Sequence, residues 1–381
     1  PGLPAAADGL PAADWEAFRV HGKATIDMIA DYHTKDLVAG SAPVKSAVKP
    51  GYLAEVLPAE APEDPEPFDA IFDDVRKHIM PGLTHWQSPS FFAFFPANTS
   101  PPAILGDMLS SCFACVGFSW VASPAATELE TLTMDWLGKL IGLPPQFLSG
   151  SGAGCGIIQA TASESTVVAL LAAKARVTRS HPEDPDAASK VVVYTSDQAH
   201  SSVKKATLIA GVANFRSIPS DPAAAYAIKA DALREAMEAD VAAGLLPAFM
   251  VATVGTTSSC AFDPLPAVGA VCQDFGVYLH VDAAYAGSAL ICPEHRPLID
   301  GIDLCDSFNF NPHKWLLTTF DCSAMWVKDR APLMDALSLT PAYLRSKEHD
   351  SGLVVDYRDL QLPLGRRFRA LKLWFVLRAF G

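Results

Sequence analysis

The stretch Asn309-Phe310-Asn311-Pro312-His313-Lys314-Trp315 sets a single lysine inside an apolar and aromatic neighbourhood. A buried ammonium is costly, so a lysine held there tends to lose its proton, and a neutral amine is a nucleophile toward aldehydes. Taken alone, His-Lys also fits an ordinary surface or salt-bridged lysine. A second chemical group stands at Asp282-Ala283-Ala284-Tyr285, where an apolar run ends in a carboxylate followed by small residues. An ionised carboxylate there can keep a ring nitrogen protonated, and small neighbours leave room for a flat ring; a cap or turn aspartate would look the same. His200, in Ser196-Asp197-Gln198-Ala199-His200-Ser201-Ser202, could stack on the other face of such a ring or simply bond to backbone at a helix start.

Upstream, a glycine-rich stretch from Gly150 to Gly156 is followed by Thr161-Ala162-Ser163-Glu164 ahead of a helix-forming run. Small hydroxyl residues before a helix N-terminus offer donors to an anion, aided by the helix dipole, although a plain N-cap uses the same residue types. The glycines do not form G-x-G-x-x-G with a ribose-binding acid, which argues against a dinucleotide site. An amine, a ring-pairing carboxylate, a stacking histidine and an anion cradle together suit pyridoxal phosphate (PLP), the commonest aldehyde cofactor that a lysine carries.

The hydrophobic pattern shows what must position these groups. Val191 to Thr195, Phe249 to Val254, Val277 to Val281 and Ala324 to Val327 are short apolar runs read as strands, and helical stretches near 200–210, 230–243 and 264–275 separate the first three. The alternation predicts an α/β fold: a mainly parallel sheet with helices on both faces and ligands at the carboxyl ends of the strands. His200, Thr256-Thr257 and Asp282 all fall at such ends. Further helices are expected over 15–35 behind Asp14 as N-cap, through Ile71, Val75 and Ile79, over 103–118, over 124–142 behind Ser123-Pro124, and over 165–179. Residues 41–67 are proline-rich and should cross a surface, and the aromatics from His85 to Pro96 need a groove or interface to cover them.

Half of the 381 residues are hydrophobic and 19% are charged, so the chain is globular, and a net charge of -13 argues against nucleic acid or acidic membranes as partners. No apolar run reaches the length of a membrane span, and Pro1 to Asp14 lacks the basic and apolar regions of a signal peptide, so a cytoplasmic protein is expected. Eight scattered cysteines fit reduced, buried thiols better than a disulfide framework; Cys112-x-x-Cys115 has no second pair at ligand spacing, so no metal site is expected.

From Trp86 through Gly381 the chain resembles the group II PLP-dependent decarboxylases, the aromatic L-amino-acid decarboxylase family. The most specific stretches are Ser196 to Ser202, His280-Val281-Asp282-Ala283-Ala284-Tyr285-Ala286-Gly287, Phe308 to Trp315 and Pro363-Leu364-Gly365-Arg366-Arg367-Phe368-Arg369. The resemblance implies a PLP-dependent transferase-like fold (fold type I), with a helical extension over 1–85 exchanged between the subunits of a homodimer and a large PLP-binding domain over 86–381. It implies that Lys314 carries the cofactor, Asp282 pairs with its ring nitrogen, His200 stacks on the ring and Ala284 packs under it. Ala162, Ser163, Asn311 and Thr257 would hold the phosphate, and His313 would lie beside the cofactor lysine. Trp86, Phe94 and Phe95, with Val116 and Phe118 from the other subunit, would line a pocket for an aromatic side chain.

The resemblance also matches Tyr343, in a polar glycine-bearing loop, to the family's proton donor. Relatives with phenylalanine at the matching position act as aldehyde synthases, so Tyr343 with His200 points to simple decarboxylation of an aromatic L-amino acid to the arylalkylamine and CO2. An aldehyde synthase and a silent homologue that only dimerises are the alternatives. By the same resemblance, plant relatives with glycine at the position of Gly365 tend to take indolic substrates, whereas animal relatives with it accept dihydroxyphenylalanine and 5-hydroxytryptophan, so Gly365 widens the pocket without settling the substrate. Ala97 and Phe94 remove polar groups usual at their positions, which favours tryptophan or phenylalanine over catechols, since a buried hydroxyl without a partner costs roughly 1 to 3 kcal/mol. The chain opens on Pro1 and stops at Gly381 within a helical pattern, where family members continue into a small C-terminal domain, so both ends are expected to be cut.

Overall fold

The computed structural model describes residues 14–381 apart from 39, 41, 340, 342, 343, 345, 351 and 353. The chain divides into two units, Pro1–Pro96 and Ala97–Gly381. In the first, the helix Trp15–Asp31 starts on Asp14, whose carboxylate accepts the N–H groups of Glu16 and Ala17 at 3.1 and 2.8 Å. It continues as a π-helical segment, Tyr32–Leu37, and the Tyr32 hydroxyl meets His85 Nδ1 at 2.8 Å. The proline-rich stretch holds one short helix, Tyr52–Val56, and the expected second helix runs as Phe68–Asp74 and then as a π segment, Val75–Ile79.

In the second unit the strands are, in chain order, β1 (Cys155–Gln159), β2 (Val191–Ser196), β3 (Asn214–Ile218), β4 (Ser220–Asp221), β5 (Ala227–Ile228), β6 (Leu246–Thr253), β7 (Tyr278–Asp282), β8 (Ser307–Phe310) and β9 (Ser323–Val327). β4 and β5 form a small antiparallel ribbon; the other seven make one sheet in the order β1-β9-β8-β7-β6-β2-β3. The pairs β2–β3, β2–β6, β6–β7 and β7–β8 are parallel, whereas β9 runs against both β1 and β8. β1, β2, β3, β6, β7 and β8 therefore present their carboxyl ends along one edge. After β3 the chain returns to the other side of β2 to lay down β6, so the strand order reverses between β2 and β6, the place where open α/β sheets form their crevice.

Both faces of this sheet are covered, which is why its central strands read as continuous apolar runs rather than alternating ones. One face packs on the helices Pro124–Leu140, Ala230–Ala242, Leu265–Asp274 and Ala370–Phe380 through Met134, Leu137, Met237, Val268 and Leu373. The other packs on Ala162–Ser180, Ser202–Ile209 and Ala331–Leu337 through Val168, Ala172, Val203 and Leu333.

Several expectations are corrected here. β1, β3 and β8 are strands that the apolar pattern did not announce: β1 carries Gly156 and Gln159, β3 is a half-exposed edge, and β8 interleaves Ser307 and Asn309 with two phenylalanines. The helix expected over 103–118 runs Pro101–Phe113 and stops at Ala114, whose φ of 48° is left-handed and cannot continue the spiral. The glycine-rich stretch is a packing device at its end: a Cβ on Gly156 would lie 2.6 Å from the Met134 Cβ and 2.8 Å from the Trp326 Nε1. All eight cysteines are free thiols, yet only Cys155, Cys272, Cys305 and Cys322 are buried, while Cys112, Cys260 and Cys292 are exposed. No helix among the described residues is long and apolar enough to cross a membrane.

Because β1 cannot move away from the helix Pro124–Leu140 without breaking its ladder to β9, Gly156→Ala should overpack the core and cost about 1–3 kcal/mol. Urea unfolding checks this; an unchanged midpoint would show that the helix can retreat freely.

Candidate active site

The lysine motif folds as a strand followed by a single helical turn. β8 ends at Phe310, Asn311 turns the chain, and Pro312–Trp315 forms a short helix with Pro312 at its start, where its missing N–H costs nothing. The Lys314 N–H bonds the Asn311 carbonyl at 2.9 Å, and the Asn311 N–H bonds the Ala284 carbonyl at 3.1 Å. Ala284 in turn donates its N–H to Asp282 Oδ1 at 2.9 Å, while the Ala283 N–H reaches the Asn309 carbonyl at 2.8 Å. Asp282, Ala284, Asn311 and Lys314 are thus tied together across the ends of two adjacent parallel strands, the first through its side-chain carboxylate and the others through backbone hydrogen bonds.

Burial pushes the Lys314 ammonium below the usual lysine range, and the Asp282 carboxylate pulls the other way. Asp282 itself is 4% exposed. His313, beside the lysine, is held near pH 4 mainly by burial and also by the Lys314 charge. Its Nδ1 accepts the Cys322 N–H at 2.9 Å, which requires a bare Nδ1 and puts the proton of the neutral ring on Nε2.

The neighbouring loops complete the edge. After β2, His200 stands exposed with its Nδ1 accepting the Ser202 N–H at 3.2 Å and facing the Ser202 hydroxyl at 2.9 Å, so the ring is fixed by one edge. After β6, Gly255 takes a φ of +84° and a Cβ there would meet the Ala286 Cβ at 2.7 Å; the chain then forms a tight loop in which Thr256 Oγ1 accepts the Ala261 N–H at 2.8 Å. Thr256 is buried inside this loop, whereas Thr257 is exposed. Ser259 of the loop donates to Gln198 Oε1 at 3.3 Å, linking it to the turn that carries His200. After β1, Thr161 caps the helix Ala162–Ser180 by accepting the Glu164 N–H at 3.3 Å, and Glu164 reaches back to the Ala160 N–H at 2.8 Å. Ala162 and Ser163 head that helix, where no preceding turn supplies carbonyls for their N–H groups. Thr161 is therefore the plain N-cap that its residue type allowed, and the donors left to an anion are backbone ones.

The remaining candidates belong to other elements. Val116 and Gly365 line one surface groove of about 380 Å³ with Ser110, Arg366 and Arg369. The backbone there is fixed: Gly117 donates to the Arg366 carbonyl at 3.2 Å, and the Phe118 carbonyl accepts the Arg358 N–H at 3.0 Å. Arg366 is buried, pairing with Glu130 and donating to the Ile158 carbonyl at 3.0 Å. Trp86, Phe94 and Phe95 belong to the first unit, where the Trp86 ring stacks on Phe91 and Phe94 with centroids at 4.8 and 5.5 Å. Tyr343 lies outside the described residues.

The donor set fits PLP. An amine with a weakened hold on its proton, a buried carboxylate beside it and free-standing helix N–H groups match an aldehyde, a ring nitrogen and a phosphate in turn. Buried polar atoms without a hydrogen-bond partner lie at this edge, namely Thr253 Oγ1 and Asn311 Oδ1. Native proteins rarely leave such atoms unpaired unless a ligand, water or ion belongs there.

Comparison with known proteins agrees. Residues 50–381 match the pyridoxal-dependent decarboxylase conserved domain. The chain is 58% identical over 371 residues to the aromatic-L-amino-acid decarboxylase of Bos taurus, covering 96% of this chain and 75% of that protein. It is 52% identical over 374 residues to a phenylacetaldehyde synthase of Arabidopsis thaliana, covering 98% of this chain and 74% of the relative. The crystal structure of Oryza sativa TDC with PLP and tryptamine superposes with a TM-score of 0.94 at 45% identity, covering 98% of this chain and 76% of that one. With the matched domain, the shared sheet and the lysine–aspartate edge all in place, the chain belongs to the pyridoxal-dependent decarboxylase family. Its architecture is that of fold type I PLP enzymes.

Sequence reasoning missed the groups that hold these side chains, namely Cys322 and the polar row around Asp282, and it named Thr256 without its role in closing the loop after β6. His313 gives a pH signature. Its folded-state pKa of about 4 lies below the ordinary value of 6.5, so unfolding takes up a proton between those values. The stability it contributes is full above about 6.5 and lost as pH falls toward about 4. Going from about pH 7 to about pH 5, the urea midpoint of the wild type should fall further than that of His313→Gln; parallel falls would show that His313 stays accessible to protons.

Proposed function

We infer that this protein catalyses the PLP-dependent decarboxylation of an aromatic L-amino acid to the corresponding arylalkylamine and CO2. The observation that carries the reading is the Lys314–Asp282 edge, a buried lysine with weakened basicity beside a buried carboxylate at the ends of adjacent strands. The identity with the bovine aromatic-L-amino-acid decarboxylase supports the reaction and its substrate class.

When bound, PLP supplies an electron sink for the pair of electrons that the departing carboxylate leaves behind. Lys314 Nζ would hold the cofactor and give way to the substrate amine, an exchange that a neutral amine makes and an ammonium does not. Asp282 would keep the ring nitrogen cationic. The N–H groups of Ala162 and Ser163, with Asn311 and Thr257, would take the phosphate, and His200 and Ala284 would bracket the ring. His313 contributes a fixed neutral Nε2–H beside Lys314 rather than an acid at neutral pH. Trp86, Phe94, Phe95, Val116, Phe118 and Gly365 would grip the aromatic side chain and exclude water, leaving the carboxylate to be oriented across the ring. Tyr343 would protonate Cα after CO2 leaves, which separates this reaction from the oxidative one of the aldehyde synthases.

The working form in this reading is a homodimer in which Val116 and Phe118 serve the partner's pocket and the region 1–85 is exchanged. Support comes from Val116 and Phe113, which are 48% and 57% exposed around a groove whose backbone is well fixed. A cytoplasmic location suits eight free thiols.

Adding PLP to the protein should produce an absorbance band at the visible edge of the ultraviolet, and Lys314→Ala should abolish both that band and amine formation. A band retained in Lys314→Ala would move the attachment point elsewhere. Tyr343→Phe should keep the cofactor band while products shift from amine toward aldehyde, followed as peroxide and ammonia release. An unchanged amine yield would show that another group delivers the proton.

A further inference from the structure

Beneath the cofactor-facing carboxylate lies a buried polar column that no step above uses. His280 stands two residues before Asp282 on β7, so both side chains project to the same face of the sheet. That face is packed on the helix Ala162–Ser180, and His280 is 0% exposed within it. Ser307 of β8 is opposite His280 in register, and its Oγ meets His280 Nδ1 at 2.7 Å. Tyr278, also buried, lies near the same Ser307 without a well-aligned hydrogen bond, and burial raises its pKa so that it remains a phenol. With the Ser307 hydroxyl donating to His280 Nδ1, the neutral ring carries its own proton on Nε2.

The other ring nitrogen, Nε2, is not held by Ser307. It is buried without a well-aligned hydrogen-bond partner, as are both amide atoms of Asn309, although His280 and Asn309 lie close enough to interact and His280 feels the Asp282 charge. Asn309 and Thr253 flank Asp282 in register on β8 and β6. A fully buried row of polar groups is expensive where an apolar core would serve, and each unpaired group costs roughly 1–3 kcal/mol. A core histidine placed for packing alone would be cheaper as phenylalanine, which already fills Phe249 against the same ring at 6.0 Å.

We propose that His280, oriented by Ser307, is a positioning residue that supports the Asp282 carboxylate from behind through a neutral Nε2–H. Neutrality is the useful property. A cationic imidazole would cancel the negative charge that Asp282 must present to the ring nitrogen, whereas a neutral donor steadies the carboxylate and leaves its charge available. Burial supplies that neutrality, since it holds His280 near pH 4, well below the working range of a cytoplasmic enzyme.

This inference rests on the PLP reading above, and the test separates the two. The full chain is stripped of cofactor and titrated with PLP, following the absorbance band and its dependence on pH. His280→Phe should weaken PLP binding roughly tenfold, the usual scale for losing a supporting hydrogen bond behind a ligand-binding group. It should also narrow the pH range over which the band keeps its position, because Asp282 no longer holds the ring nitrogen cationic as firmly. His280→Gln, which keeps a donor near the Nε2 position, should recover much of the affinity, and Ser307→Ala should fall between. Phenylalanine and glutamine variants that both bind PLP with wild-type affinity and wild-type pH dependence would reduce His280 to packing. Should His280→Phe not fold, wild-type behaviour of Ser307→Ala in both measurements would overturn the proposal equally. No band in the wild type would instead overturn the PLP reading, and this inference with it.

Discussion

The balance of two opposed effects on one amine governs this protein: burial weakens the hold of Lys314 on its proton, and the nearby Asp282 carboxylate strengthens it. Full burial without the carboxylate would leave nothing to pair with a cationic ring, and a carboxylate in water would keep the lysine protonated. Setting the two on adjacent parallel strands, with the Ala284 and Asn311 backbones bonded between them, fixes both at once. Parallel pairing of β7 with β8 brings both strand ends to one edge, whereas antiparallel pairing would put them on opposite rims.

Holding that edge rigid requires charges to be buried behind it. Arg366 pairs with Glu130, whose carboxylate also accepts the Ile158 N–H at 2.7 Å, so the Gly365 segment is tied to β1. Arg369 bonds Asp321 at 2.9 Å, next to the Cys322 whose N–H fixes His313. The first pair is fully buried and the second partly so; a buried ion pair seldom adds net stability over apolar packing, and removing one partner is far costlier than replacing both. Their value here is geometric, since each anchors a loop that carries a candidate site residue.

Much of this was legible in the amino-acid pattern. The continuous apolar runs at Val191 and Phe249 announced strands buried on both faces, and with them the edge where His200, Thr257 and Asp282 stand. The motif around Lys314 was legible as chemistry but not as structure, because Ser307 and Asn309 alternate with phenylalanines and disguise β8 as a polar turn. β1 was hidden by Gly156, whose missing side chain answers to Met134 and Trp326, residues remote in sequence. The ending of the helix at Phe113 depends on a left-handed Ala114, which residue type does not signal. His280 was visible all along at the strand period of two from Asp282, yet only the pairing with Ser307 on another strand gives it a role.

Magnetic resonance of PLP labelled at its ring nitrogen, bound to the intact protein, tests the central claim most directly. The account predicts that the nitrogen stays protonated from neutral into mildly alkaline solution and loses its proton in Asp282→Ala. A ring nitrogen already unprotonated in the wild type at neutral pH would contradict it, because the carboxylate at the end of β7 would then not be setting the charge of the ring.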